Sequence, residues 1–233
     1  MLIDDLIGGN NKINKEDIFK MDTFLDNLKI LKGLKKKTNE YPNLGNMIES
    51  YKIRLNEIFI KHKGRLGNKI LESVGENPYQ RTIELPVEGE YYNLIWNIDK
   101  LIKIIYEKKI KRRPFLVSKL IKTVDDEGID VTALENAKRN KQPIIVGYFP
   151  QLQHHYIVLD GNHRVKSRYQ RHKMFVMGYE LSPEYVTKGL VVDIFKELFI
   201  MHLNMYAVLK YIGGYINEKQ LKQQIIPLIN DFY

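Results

Sequence analysis

The sequence predicts an α+β protein: a core of mixed helices and strands with further helices before and after it. Three observations lead there. Two segments before residue 75 keep apolar residues at helical spacing, residues 132–181 alternate helix, strand, strand, helix and strand, and a long amphipathic stretch follows Ser182-Pro183. The expected division is a helical N-terminal lobe over 1–80, an α+β core over 81–182 and a C-terminal helical extension over 183–233.

Taken in order, the first helix is expected over 14–37, with Asn14 as its cap and Phe24, Leu25, Leu28, Leu31 and Leu34 on one stripe. A second covers 43–62, where Leu44, Met47, Ile48, Tyr51, Leu55, Ile58 and Phe59 share a face. The turn-rich "GENPYQ" at 75–80 breaks the chain. Residues 81–87 read as a strand, 92–110 as a helix through Leu94, Ile98, Leu101, Ile102 and Ile105, and 114–121 as β-like. Thr132 and Glu135 form a capping-box pair that opens a short helix ending before Gln142-Pro143. Strands are expected at 143–149, 154–160 and 174–181, the first two joined by a connection of hairpin length. Ser182 and Pro183 then suit a cap and a first helical position, with helices at 183–211 and 217–232 and a bend at Pro227.

Of the 233 residues 44% are apolar and 28% charged, ordinary values for a chain with a packed core. The net charge of +9 is not ordinary, and it points to a polyanionic partner, either nucleic acid or nucleotide phosphates. The absence of cysteine excludes disulfides, thiolate metal sites and a cysteine nucleophile. Asp4 and Asp5 stand where a signal peptide needs positive charge. The charge-free run Leu198–Leu209 falls well short of the ~20 residues of a membrane span, so a cytoplasmic protein with no membrane partner is expected.

The stretch "YIVLDGNHRVKSRYQ", residues 156–170, carries the chemistry. Tyr156–Leu159 form a continuous apolar run, which predicts a buried, central strand. Gly161 permits a sharp turn and a close backbone approach. Asn162 or Asp160 suits the cap of a helix starting near Val165, whose unpaired N–H groups and dipole favour an anion. Arg164 offers a planar fork for phosphate oxygens, and His163 a donor able to move protons. Lys166, Arg168, Arg171 and Lys173 extend the positive field. Gly161, Asn162, His163, Arg164, Lys166 and Arg168 are therefore the candidate phosphate-binding residues, with His163 and Asp160 as catalytic candidates and a nucleoside triphosphate with Mg²⁺ as the expected ligand. The competing reading is an ordinary Asp-Gly turn before a solvated basic helix.

Other residues carry weaker signals. Asp125, Asp126 and Glu127 suit a Mg²⁺ that accompanies a nucleotide, or an ordinary acidic loop. Glu84 is a candidate base if its strand borders the cradle. Lys108, Lys109, Lys111, Arg112 and Arg113, five basic residues within 108–114, are the candidate nucleic-acid site, with DNA as partner. They equally suit the positive end of a helix, which the macrodipole favours. No metal site is expected, since His154 and His155, adjacent on a strand, point to opposite faces.

Residues 114–181 resemble the core of the ParB/sulfiredoxin superfamily. The resemblance rests on Pro143-Ile144-Ile145-Val146 followed by the Asp160-Gly161-Asn162-His163-Arg164 turn between strand and helix. It implies a ParB/sulfiredoxin-like fold and nucleoside-phosphate binding at the turn, with hydrolysis or phosphoryl transfer. Members with the His-Arg form include phosphotransferases and proteins of phage or mobile-element biology. Sulfiredoxins place a catalytic cysteine directly before the His-Arg, where this chain has Asn162, so sulfinic-acid reduction by that route is excluded. Chromosome-partition ParB proteins usually carry two arginines, whereas His163 holds the first place here. The alternatives are a DNA-associated adaptor with a non-catalytic turn, or a ParB-like nuclease.

Overall fold

The computed structural model describes residues 2–7, 9, 12–29, 44–124, 130–151 and 154–226. In chain order they form α1 (Leu2–Ile7), a 3-10 turn (Lys15–Asp17), β1 (Phe19–Lys20), α2 (Asp22–Lys29), α3 (Leu44–His62), α4 (Leu66–Ser73), β2 (Pro78–Glu84) and β3 (Tyr91–Asn97). There follow α5 (Ile98–Glu107), β4 (Arg112–Leu116), α6 (Val117–Leu120), a second 3-10 turn (Ile121–Thr123), α7 (Val131–Ala137), β5 (Ile144–Tyr148) and β6 (Tyr156–Asp160). The last elements are α8 (Asn162–Gln170), β7 (Phe175–Leu181), α9 (Pro183–Gly189), α10 (Asp193–Ile212) and α11 (Glu218–Gln224). The class is α+β, with a three-stranded sheet ordered β1-β3-β2 and a four-stranded sheet ordered β4-β7-β5-β6.

The chain divides into two compact units, one made of 1–74, 80–95 and 190–233, the other of 75–79 and 96–189. These divisions differ from the expected ones at 80 and 182, because the first unit draws on both ends of the chain. In that unit α10 packs on α3 and α11. Its side chains are buried on nearly every side, from Ile194 and Phe195 to Val208 and Ile212. The Asn204 amide donates to the Tyr51 hydroxyl at 2.5 Å and to the Ile226 carbonyl at 2.7 Å, and accepts from the Ile226 amide at 2.8 Å. A buried polar side chain satisfied on three sides holds the segment after α11 to the helix.

Several elements depart from their expected bounds. The helix expected over 14–37 is a 3-10 turn, a two-residue strand and α2; residues 30–43, with Leu31 and Leu34, lie outside the described residues. Asn14 does cap the turn, its N–H donating to the Asp17 carboxylate at 2.7 Å, and β3 captures Phe19 and Lys20 as a short strand. The helix expected over 92–110 begins only at Ile98, and residues 91–97 are strand β3. Tyr92–Trp96 are all buried, so the strand shows no alternation and reads as a continuation of the apolar run behind it. Asn97 makes the switch, its side chain accepting from the Lys100 amide at 2.9 Å. The β-like 114–121 is a strand to Leu116 and then helix α6. The helix expected over 183–211 is broken between α9 and α10, where the Val191 amide donates to the Ile95 carbonyl. The last helix ends at Gln224, and Pro227 lies outside the described residues.

In the second unit β4 and β7 are antiparallel, β5 and β6 are antiparallel, and β5 and β7 run parallel. One sheet face carries a core of Phe115, Ile144, Val146, Val158 and Val176 beneath Val117, Leu120 and Val165 of α6 and α8. On the opposite face α9 packs on β5 and β7. β6 lies at the edge of the sheet, not at its centre as expected. Its apolar run reflects cover on both faces, which burial alone does not distinguish from a central place.

Candidate functional site

β6 ends at Asp160, and α8 begins at Asn162, three residues earlier than expected. Gly161 between them has φ 98° and ψ 26°, in the left-handed region where only glycine is unstrained. A Cβ there would lie 2.5 Å from Ile144 Cγ2 and 2.8 Å from Arg164 Nε. The glycine thus serves twice, in turning the chain and in admitting the guanidinium against the backbone. Neither expected cap is present: Gly161 occupies the cap position without a side chain. Asn162 Nδ2 donates back to the Val158 carbonyl at 3.3 Å, and Asp160 is engaged with Arg164. The first helical bond runs from the Val165 amide to the Gly161 carbonyl, so the amides of Asn162, His163 and Arg164 precede the helical ladder.

Arg164 differs most from expectation. It is 7% exposed, not a surface residue. One terminal nitrogen donates to the carbonyls of Gln142 and Pro143, both at 3.1 Å, and the other to Asp160 Oδ2 at 2.5 Å. The guanidinium therefore fastens the start of β5 to the end of β6, and the two sequence patterns, Pro-Ile-Ile-Val and Asp-Gly-Asn-His-Arg, meet at one side chain. His163 Nε2 accepts from the Asp130 amide at 3.0 Å, which places its own proton on Nδ1. In this state the ring can donate only through Nδ1, and its proton-accepting nitrogen is already engaged.

An open cleft of about 300 Å³ lies at this turn. One wall is Asp160, Gly161, His163 and Arg164, and the other is Ala133, Asn136, Ala137 and Asn140 along and just beyond α7. These four keep the spacing of one helix face, two of them too small to fill it and two with amide side chains. α7 is tied to α8 near both ends, at the start by the Asp130–His163 bond and at the end by Arg171, which donates to the Lys138 carbonyl at 3.0 Å. The cap of α7 is Asp130, which accepts from the Ala133 amide at 2.8 Å, and not Thr132 as expected.

The Ala133 amide, with that of Thr132 and the nearby His163, holds the Asp130 carboxyl below its ordinary range against the opposing effect of desolvation. A depressed carboxylate stabilises the fold fully above its ordinary range, and that stabilisation is lost as pH falls through its lowered folded value. Amide exchange should therefore show α7 losing protection in acid ahead of β5. Equal acid sensitivity in the parent and Asp130→Ala would contradict this role.

The remaining candidates are dispersed. Lys166 and Arg168 are half-buried on α8 and do not line the cleft. Lys108 closes α5 as its C-terminal cap, as the helix-end reading expects, and Lys109 follows with φ 51°. Arg112 and Arg113 point to opposite faces of β4, so the five cationic residues do not form one track. Arg113 is occupied, paired with Glu180 and lying 4.4 Å from the centre of the Phe115 ring. Glu84 lies on β2. Asp125, Asp126 and Glu127 lie outside the described residues. Among the described residues no three His, Asp or Glu side chains are grouped to hold a metal, and no helix is long and apolar enough to cross a membrane. Comparison with protein-family models, with curated proteins and with solved structures returned no match.

Proposed function

We propose that the cleft beside Gly161 binds a nucleoside phosphate in a ParB-like strand–turn–helix. The observation that carries this is the uncapped start of α8 opening into a cleft, with a glycine where a capping side chain would block it. Phosphate oxygens accept from the leading amides of α8 and from His163 Nδ1–H. The sugar and base lie against Ala133 and Ala137, within reach of the Asn136 and Asn140 amides, which donate and accept as base edges require. Arg164 supports the site as a clamp on its walls, its charge shared with Asp160. The volume stands at the lower end of small-molecule sites, ~300–1,000 Å³, so terminal phosphates extend toward solvent.

Asp160, the carboxylate that lines the cleft among the described residues, gives half its capacity to Arg164 and keeps one oxygen for a Mg²⁺. One carboxylate fits a Mg²⁺ held mainly by the nucleotide's own phosphates. Hydrolysis or phosphoryl transfer is the catalytic form of the same proposal, in which His163 handles a proton once its Nε2 releases the Asp130 amide.

A thermal-shift screen of nucleoside mono-, di- and triphosphates with and without Mg²⁺ tests it. A ligand at a hundred times its dissociation constant should stabilise by about 2.7 kcal/mol. No shift with any nucleotide would remove the proposal. His163→Gln, which keeps a donor, should retain most of the binding, and should lower turnover by roughly 10²–10⁴ if the imidazole does acid–base work. Binding without turnover in the parent would mark a nucleotide-gated binding protein.

A further inference from the structure

The geometry points to a second binding surface, a stacking platform for single-stranded nucleic acid on the outer face of β4 and β7. It does not rest on the nucleotide reading of the cleft. The register pairs Arg112 with Tyr179, Pro114 with Met177 and Leu116 with Phe175. Directly opposed residues share a face, and the alternate pair, Phe115 with Val176, belongs to the core beneath α6 and α8. The six therefore lie together on the other side of the sheet.

That side is half covered. Near β5 it lies under α9, where a Cβ on Gly147 would come within 2.9 Å of Val186. Over β4 and the first half of β7 it is bare: Phe175 is 49% exposed, Met177 39% and Leu116 37%. Met174, next to the strip, is 66% exposed. Single exposed apolar residues are commonplace, but a contiguous strip on a sheet marks an interaction surface.

Charge selects the occupant. Arg112 lies on the strip, exposed Lys111 leads into it at one end and exposed Lys173 at the other, in a chain of net charge +9. The two strands contribute one acid, Glu180, and it faces the other way, paired with Arg113. A partner that is anionic along its length yet offers flat apolar faces is a single strand with unpaired bases. Its bases stack on Phe175 and Tyr179 while Arg112 and the lysines meet its phosphates. A duplex hides its base faces, and a second copy of this chain would bring the same positive rim onto itself. Strand addition at the β4 edge is impeded by Pro114, which has no N–H to donate.

The test is fluorescence anisotropy with a labelled oligothymidylate of about 15 nucleotides and a duplex of the same length, a span that covers common single-strand site sizes. The parent should bind the single strand more tightly than the duplex. Phe175→Ala should weaken that binding about 5- to 100-fold, and Phe175→Tyr should restore it. Arg112→Ala should lower the slope of affinity against salt by roughly 0.7 for one lost phosphate contact. Both positions are exposed, so unchanged circular dichroism and melting are expected and are checked first. Absence of single-strand binding at about 50 mM salt, equal or tighter duplex binding, or an unchanged affinity in Phe175→Ala would overturn the proposal. So would concentration-dependent dimerisation that Phe175→Glu abolishes in a protein that binds no oligonucleotide.

Discussion

Arg164→Ala should destabilise the second unit by about 2–4 kcal/mol, even with no ligand present. Removing one member of a fully buried ion pair costs about 3–5 kcal/mol, and Asp160, with its side chain 37% exposed, recovers part of that by hydration. The carbonyls of Gln142 and Pro143 also lose their shared donor at the start of β5. At about 4–8 °C per kcal/mol for a unit of this size, its melting temperature should fall by roughly 8–30 °C. Arg164→Lys should recover little, because an ammonium cannot reach three acceptors from the fork's geometry. A melting temperature unchanged in Arg164→Ala would show that the arginine is dispensable to the fold. The practical consequence is that loss of ligand binding in this variant does not identify a ligand contact, and His163→Gln is the cleaner probe.

Gly161→Ala should be at least as damaging, by about 2–5 kcal/mol. Left-handed backbone strain contributes about 1–3 kcal/mol in a residue other than glycine. The new methyl would also overlap Ile144 Cγ2 at 2.5 Å and the Arg164 guanidinium at 2.8 and 3.0 Å. Overpacking of that kind typically adds about 1–3 kcal/mol. Either the turn opens or the guanidinium leaves its two carbonyls, and both outcomes change the cleft. Chemical denaturation of Gly161→Ala beside the parent measures this directly. A variant of parental stability would show that Ile144 and Arg164 yield freely, contrary to their packing.

What the sequence disclosed and what it hid follow from the physics of each element. The Asp160–Arg164 turn was legible because glycine between a greasy strand and a polar helix has few other uses. The packing stripe of α3 was legible because its buried residues keep a helical period. β3 was hidden because a strand buried on both faces has no period of its own. The role of Arg164 was hidden for a different reason: its partners, Gln142 and Pro143, are 22 and 21 residues distant, and no local pattern encodes such a contact. The α7 wall, Ala133, Asn136, Ala137 and Asn140, left a faint signal in its helical spacing, but alanine and asparagine at that spacing are equally at home on a solvated helix. The sharing of one unit by both ends of the chain, with α10 packed on α3, likewise has no local signature.

Amide-resolved NMR during nucleotide titration decides whether a nucleoside phosphate binds at the start of α8. Saturable shifts are expected at the backbone amides of Asn162, His163 and Arg164, together with the side-chain amides of Asn136 and Asn140. Shifts confined to the basic residues at 108–113, with these five silent, would contradict it, as would a titration that never saturates.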